Sequence, residues 1–143
     1  MKRILFTACA FLFVLALSGC GERLSEKVIK THANGQPFVV YYYDKEDQWV
    51  ASKEFYENGI LRMEGSMGNN LRQGEWKSYF PDGKVQSSGF YQDGIRVGKA
   101  RVYYENGHLW MDGYYADDHK CGEWVFYDEQ GYETGRVDYG PCD

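Results

Sequence analysis

Residues 74–84 read GEWKSYFPDGK, and this stretch holds one strand together with the turn that ends it. The part before Pro81 is rich in aromatic residues, which strands favour. Pro81 presets φ for the first corner of a turn, Asp82 bonds its own backbone, and Gly83 accepts the positive φ that closes a hairpin. The stretch therefore predicts a β-strand followed by a tight hairpin turn.

The turn glycine recurs at a constant interval of 24 residues, at Gly35, Gly59, Gly83, Gly107 and Gly131. Two more glycine columns keep that interval: Gly65, Gly89 and Gly113, and Gly74, Gly98 and Gly122. Several columns with one period are the signature of a repeat protein. The whole structural unit is therefore repeated along the chain. Such a repeat predicts the architecture of the protein but does not predict a catalysed reaction.

Each unit contains two predicted strands. After the Gly83 turn, alternate residues share one face of an extended segment, namely Val85, Ser87, Gly89 and Tyr91. The second strand precedes the next turn, and we expect a looser connection between units, at 68–70, 92–94 and 116–118. No segment after Ala33 has a helical period. We predict an all-β fold: an elongated, twisted antiparallel sheet of tandem 24-residue β-hairpin repeats.

Three glycines, Gly65, Gly89 and Gly113, fall inside predicted strands, where glycine is unfavourable. Their recurrence predicts either a bend or a large side chain from the neighbouring strand lying over each of them. Trp76 and Trp124 are the candidates for the covering side chain. Ala100 stands between them in the same column.

The first nineteen residues are predicted to be a targeting segment, because Lys2 and Arg3 precede an apolar run over 4–17. The run is shorter than the roughly 20 residues that cross a membrane. It ends in LSGC, residues 17–20, which resembles a bacterial lipobox. The resemblance implies cleavage before Cys20 and lipidation of Cys20; an uncleaved anchor and an ordinary secretory signal are the alternatives. Gly21, by resemblance to enterobacterial lipoproteins, favours the outer membrane, facing the periplasm.

The rest of the chain divides into a tether and a repeat domain. Residues 20–33 are polar and charged without a sustained apolar period, so we expect a tether there. Residues 34–143 carry the repeats. Pro37 in the first unit predicts an outer edge of the sheet, because proline cannot donate to a strand ladder. Gly140 and Pro141 are expected to stop the other end.

The charge balance argues against a nucleic-acid partner. The chain has 16 basic and 21 acidic residues, and removing Lys2 and Arg3 leaves 14 against 21, a net charge of −7. Phosphate binding requires a basic footprint, whereas the basic residues here are scattered among acids.

Two cysteines remain once Cys9 leaves with the targeting segment and Cys20 is lipidated. Cys121 and Cys142 form an even pair in an oxidising compartment, which predicts a disulfide bond between them. Two independent free thiols are the alternative.

Residues 74–84, together with GEWVFY at 122–127, resemble the MORN repeat, in the bacterial variant whose members are often labelled YwqK-like antitoxins. The likeness runs from about Asn34 to Tyr139. It implies successive hairpins in one elongated sheet and, as elsewhere among MORN repeats, a scaffold or a protein-binding or lipid-associated surface. The middle unit departs from the pattern, since Lys99 and Ala100 replace the glutamate and the tryptophan.

No catalytic, metal or cofactor site is predicted. His119 and Cys121, beside Asp117 and Asp118, form the one cluster of metal-ligand residue types, and the predicted disulfide would consume its thiolate. Glu75, Lys99 and Glu123 share a column and suggest a surface charge ladder instead of an acid/base pair. Nucleophile-elbow and phosphate-loop motifs are absent from the sequence.

Aromatic residues on the face opposite the Leu/Val/Met stripe form the candidate binding surface: Phe90, Trp110 and Tyr114, beside Arg62. The competing interpretation is that these rings only cover the sheet. We predict a non-catalytic envelope lipoprotein, anchored by lipid, whose repeat surface binds a protein partner. The rival hypotheses are an antitoxin or immunity protein that neutralises a toxin, and a module that binds glycan or peptidoglycan.

Overall fold

The computed structural model describes residues 23–143. The predicted targeting segment and the lipidation site Cys20 lie outside these residues. Ten antiparallel strands form one open sheet in chain order. Their bounds are β1 Ser25–Thr31, β2 Pro37–Tyr43, β3 Trp49–Phe55, β4 Leu61–Gly68, β5 Leu71–Tyr79, β6 Val85–Gln92, β7 Ile95–Tyr103, β8 Leu109–Ala116, β9 His119–Tyr127 and β10 Glu133–Asp138.

The predicted all-β sheet of tandem hairpins is confirmed. Every pairing is between strands adjacent in the chain, which is the simplest connection that 24-residue hairpin units allow. Residues 23–143 contain no helix that is long and apolar enough to cross a membrane.

The repeated glycine turn has the chemistry that the sequence predicts. In the unit that opens at Gly59, the Tyr56 N–H donates to the Ile60 carbonyl at 2.8 Å, and the Gly59 N–H donates to the Tyr56 carbonyl at 2.9 Å. Gly59 has φ +80°. The Asn58 side-chain oxygen accepts the Ile60 N–H at 3.0 Å, which fixes the corner.

The second connection of each unit is tight, so the prediction of a looser one is wrong. Asn69 and Asn70, like Asp117 and Asp118, both have positive φ, from 48° to 65°. Two such residues are what a two-residue type I′ hairpin turn requires, and Asn and Asp tolerate that conformation. The residues that follow each turn extend the strand, so β5 begins at Leu71.

Side chains tie each turn to the next turn along the sheet. The Asn58 side-chain amide donates to the Pro81 carbonyl at 3.3 Å, and the Asn106 amide donates to the Glu129 carbonyl at 2.7 Å. The Tyr56 hydroxyl reaches the Tyr79 carbonyl at 2.7 Å. At this end of the strands, the contacts between successive turns therefore recur with the period of the repeat.

The prediction of a tether over residues 20–33 is wrong for Ser25–Thr31, which form β1 and pair with β2. Every residue of β1 is exposed, so the strand lacks the apolar alternation by which a strand is recognised. Its backbone hydrogen bonds hold it in place. The outer edge is consequently β1, and the expectation that Pro37 marks the edge is wrong. Pro37 begins β2, a position where a missing N–H is tolerated.

The sheet has only a small buried core, consisting of Val39, Val40, Trp76, Cys121, Trp124 and Val125. The C-terminal end is closed covalently, because Cys121 and Cys142 form a disulfide, with Cα atoms 5.0 Å apart. The tail also pairs with β9, since the Gly122 N–H donates to the Gly140 carbonyl at 2.6 Å. In the chain-entropy model, a bridge across this separation stabilises the fold by about 3 kcal/mol.

Candidate functional site

One face of the sheet carries the column Trp76, Ala100 and Trp124, at the 24-residue interval, and we call it the tryptophan face. Each tryptophan lies over a glycine of the preceding strand. A methyl group built on Gly65 would stand well under 3.0 Å from the ring of Trp76, and one built on Gly113 would overlap Trp124 in the same way. The predicted covering role of the two tryptophans is confirmed.

Each tryptophan is held by the same set of neighbours. The Trp76 indole N–H donates to the Ser66 carbonyl at 3.0 Å, and the Trp124 indole N–H donates to the Tyr114 carbonyl at 3.1 Å. The Arg72 guanidinium lies 4.2 Å from the Trp76 ring centroid. The Lys120 ammonium lies 4.3 Å from that of Trp124. We call this arrangement a tryptophan seat: a glycine beneath the ring, a carbonyl acceptor for the indole and a cation over the ring.

The middle unit keeps the parts of the seat and lacks the indole. Gly89, the Phe90 carbonyl and Arg96 stand 24 residues from their equivalents on either side, whereas Ala100 replaces the tryptophan. A methyl group built on Gly89 meets no atom within 4 Å. The floor of the middle seat is therefore open.

A cavity of about 280 Å³ occupies this position. Its lining comes from six consecutive strands, β4 to β9. Trp76 and Trp124 both contribute to the lining, although they are only 7% and 2% exposed. Tyr91 and Tyr115 also line it, next to Gly89. Aromatic rings thus form the sides of the pocket, and the backbone of Gly89 forms its base.

Four basic residues line the pocket, Arg72, Lys77, Arg96 and Arg101, and the first and third of them stack on its aromatic rings. Arg96 lies 4.4 Å from the Tyr115 ring centroid and donates from Nε to Asp118 at 2.9 Å. That hydrogen bond raises the pKa of Arg96 and lowers the pKa of Asp118. Arg72 donates to the Tyr91 hydroxyl at 3.3 Å, and no carboxylate of residues 23–143 forms a salt bridge with it. The pocket therefore favours aromatic and electron-rich groups.

The rings of Phe90 and Tyr114, which were predicted as part of a binding surface, lie on the opposite face, although Phe90 also contributes to the lining of the cavity. Phe90 pairs with Glu75, and Tyr114 pairs with Lys99, in registers that place both rings on the face opposite the tryptophans. Phe90, Trp110 and Tyr114 are 42%, 42% and 44% exposed. Trp110 packs against Tyr104, with ring centroids 5.9 Å apart. Their role in binding remains a prediction.

Arg62 belongs to β4, and three strands lie between β4 and β8, which carries Trp110 and Tyr114. It forms a salt bridge with Glu54 and lies 6.0 Å from the Phe38 ring centroid. The bulge beside Arg62 in the pairing of β3 with β4 recurs beside Trp110 in the pairing of β7 with β8, so the strict alternation is broken at both residues. The role of Arg62 in binding also remains a prediction.

The charge ladder on the opposite face differs from the predicted one. Lys99 pairs with Asp112 at 2.9 Å, Glu75 with Lys77 at 3.0 Å, and Glu123 with Arg136 at 2.7 Å. The column Glu75, Lys99 and Glu123 is interrupted because aromatic residues stand opposite Glu75 and Lys99 in the neighbouring strands.

A second polar cluster on that face joins Lys53, Glu64 and Tyr79. The Tyr79 hydroxyl donates to Glu64 at 2.7 Å, and Lys53 lies 3.3 Å from the same carboxylate. Burial and the hydrogen bond to Glu64 raise the pKa of Tyr79 to about 12. Burial opposes ionisation of Glu64, but the hydrogen bonds from Tyr79 and Lys53 outweigh it and lower the pKa of Glu64. These are the interactions of a structural network.

The cluster at His119 has no free thiolate, because Cys121 is in the disulfide. The His119 ring nitrogen Nδ1 lies 2.6 Å from the Asp117 carbonyl. Across residues 23–143, no three His, Cys, Asp or Glu side chains are arranged to hold a metal ion.

Residues 51–69, 72–93 and 96–117 match the family model described as the MORN repeat variant. These three segments are therefore similar to MORN repeats. The third match includes Ala100, so the unit that lacks the tryptophan is still recognised as a repeat. MORN repeats are a non-enzymatic repeat family whose modules generally bind proteins or membranes. No curated protein matches the chain.

The open middle seat was not predicted from the sequence, although its signal was present. From the sequence, Ala100 is a departure from the MORN pattern that stands in the column of the covering tryptophans. The informative combination is that Gly89 keeps the small floor while the residue that would cover it is missing.

Proposed function

We propose that this protein is a non-catalytic repeat module that binds a polypeptide partner through the tryptophan face. The observation that carries the proposal is the open seat at Ala100, between two seats that are filled. A sheet built only to fold would gain stability by burying a third indole at this position. The unit instead leaves a cavity with convergent aromatic and cationic groups, which is the usual character of a binding pocket.

The size of the cavity favours a side chain over a whole cofactor. Pockets for small-molecule ligands are typically about 300–1,000 Å³, and about 280 Å³ lies at the lower end of that range. The chemistry matches protein interfaces, which are enriched in tryptophan, tyrosine and arginine at their energetic centres. Membership of this type of repeat supports the same conclusion.

We further propose that the module is held at the bacterial envelope by lipid on Cys20, on the periplasmic side of the outer membrane. The lipobox resemblance at 17–20 supports this. Because β1 begins at Ser25, only the four residues 21–24 separate Cys20 from the sheet, and the five Cα–Cα steps from Cys20 to Ser25 reach about 18 Å at most. The partner would then be met close to the membrane surface.

Site-specific photo-crosslinking in the native envelope tests the proposal. A benzophenone amino acid is placed at Met111, which lines the cavity without forming part of the seat, and in a matched variant at Tyr114, on the opposite face. We expect a cross-link to one defined protein from position 111 and none from position 114.

The alternatives give different products in the same experiment. A cross-link only from position 114 would move the binding surface to Phe90, Trp110 and Tyr114. Capture of a toxin encoded beside this gene would favour the antitoxin hypothesis, and capture of sacculi alone would favour glycan binding. Absence of any cross-linked protein from both positions would refute the proposal.

A further inference from the structure

We infer that the open middle seat receives a tryptophan side chain of the partner, which completes the repeat in trans. This inference rests on the proposed function and specifies the chemistry of the partner. The template is internal, because the same chain shows twice, at Trp76 and at Trp124, what this seat holds when it is filled.

The polar part of the seat is ready for an indole. In the two filled seats, the indole N–H donates to the carbonyl that follows the floor glycine, at 3.0 and 3.1 Å. In the middle seat the equivalent acceptor is the Phe90 carbonyl, and no side chain of residues 23–143 donates a hydrogen bond to it. An aliphatic side chain has no donor for that carbonyl, whereas an indole N–H would donate to it as in the two filled seats.

The aromatic neighbours are also in place. Trp124 meets Tyr115 edge-on, with ring centroids 5.2 Å apart, and meets Tyr139 on its other side at 6.4 Å. The residues 24 positions earlier are Tyr91 and Tyr115, and both line the cavity. An indole in the middle seat would therefore have Tyr91 and Tyr115 as neighbours, in the positions that Tyr115 and Tyr139 occupy beside Trp124.

The cation over the ring is present as well. Lys120 covers Trp124 at 4.3 Å, and its equivalent in the middle unit is Arg96, which already stacks on Tyr115 and is oriented by Asp118. Arginine over an indole is the most favourable pairing of a protein cation with a side-chain ring. The three features together select tryptophan over leucine, which has neither the N–H donor nor the π system.

The seat is tested by titrating N-acetyl-L-tryptophanamide into the mature chain and following the backbone amides of Gly89 and Ala100 by NMR. One side chain binds weakly, with a Kd on the order of 1 mM. We expect saturable shifts at both amides. We expect N-acetyl-L-leucinamide to bind at least about tenfold more weakly, since leucine forms neither the hydrogen bond to the Phe90 carbonyl nor the contact between ring and cation.

Two variants block the seat in different ways. Ala100→Trp fills it with an indole from the chain itself. Gly89→Ala adds a methyl group that meets nothing in the free protein, yet would overlap a bound ring, as the methyl groups built on Gly65 and Gly113 do. Both are expected to abolish the shifts. The matched control, Lys99→Trp, adds an indole in the adjacent position on the opposite face, outside the lining of the cavity, and is expected to leave binding intact.

Probe binding that persists in Gly89→Ala, or equal binding of the leucine amide, would overturn the inference. An unchanged cross-link from position 111 in Ala100→Trp would also overturn it, while leaving the proposed function in place. Saturable probe binding without a cross-linked partner would support the seat and refute the proposed function.

Discussion

Adding one methyl group to each of three equivalent glycines distinguishes the two filled seats from the open one. The variants are Gly65→Ala, Gly89→Ala and Gly113→Ala, which change the same column of the repeat by the same number of atoms. Only the presence of a covering indole differs among them. The comparison therefore needs no correction for strand propensity or for the chemistry of the substitution.

The magnitudes follow from the space over each glycine. At Gly65 and Gly113 the methyl group overlaps a buried indole, and overpacking of this kind costs about 1–3 kcal/mol. If the ring leaves instead, the lost burial of roughly 150–250 Å² costs about 4–6 kcal/mol. At Gly89 the methyl group meets nothing within 4 Å, and its backbone φ is not positive. Loss of unfolded-state entropy should then stabilise this variant by about 0.4–1 kcal/mol.

Urea unfolding of the mature chain with its disulfide intact, followed by tryptophan fluorescence, measures the three free energies of unfolding. We expect Gly65→Ala and Gly113→Ala to fall below the parent and Gly89→Ala to equal or exceed it. Equal destabilisation by all three substitutions would mean that the middle seat is packed like its neighbours, and the reasoning from an open cavity would be wrong.

Three further changes have defined outcomes. Ala100→Trp should raise the free energy of unfolding by about 1–3 kcal/mol, because an indole fills the cavity, and an unchanged urea midpoint would contradict this. Cys142→Ser should lower it by about 3 kcal/mol, and a reducing agent should bring the parent to the same value; a parent indifferent to reductant would refute the stabilising role of the bridge. Tyr79 has a pKa of 10.0 when unfolded and about 12 when folded, so its contribution is complete below pH 10 and is lost as the pH rises toward 12. Tyr79→Phe should therefore lose less stability over that range than the parent does, as measured by urea midpoints at each pH.

The hairpin repeat was predictable because its signals are local. The turn glycines need positive φ, the strands alternate with period two, and glycine inside a strand calls for a covering ring. All of these can be recognised without knowing which strands pair. Trp76 over Gly65 is the clearest case, since the two residues are cross-strand neighbours once the hairpin is drawn.

The parts that were missed depend on backbone pairing and register. β1 is exposed throughout, so its side chains carry no period, and only its hydrogen bonds to β2 make it a strand. Counting along strands groups Arg62 with Trp110 and Tyr114, but that count neglects the three strands that lie between β4 and β8. The tight turns at Asn69 and Asp117 can be predicted from the sequence, because paired Asn and Asp residues favour type I′ geometry.

The open seat illustrates a different limit. A missing tryptophan in a repeat column has two physical meanings, collapse of the strands into the gap or preservation of the gap. Composition does not distinguish them. The distinction requires the positions of Gly89, Tyr91 and Tyr115 around the cavity, which only the folded arrangement provides.

A crystal structure of the Ala100→Trp variant tests the central claim most directly. If the middle unit holds an open tryptophan seat, the new indole will lie over Gly89 with its N–H at about 3.0 Å from the Phe90 carbonyl, as in the two natural seats. An indole at position 100 that points into solvent, or that forces β6 and β7 apart to enter, would contradict the account.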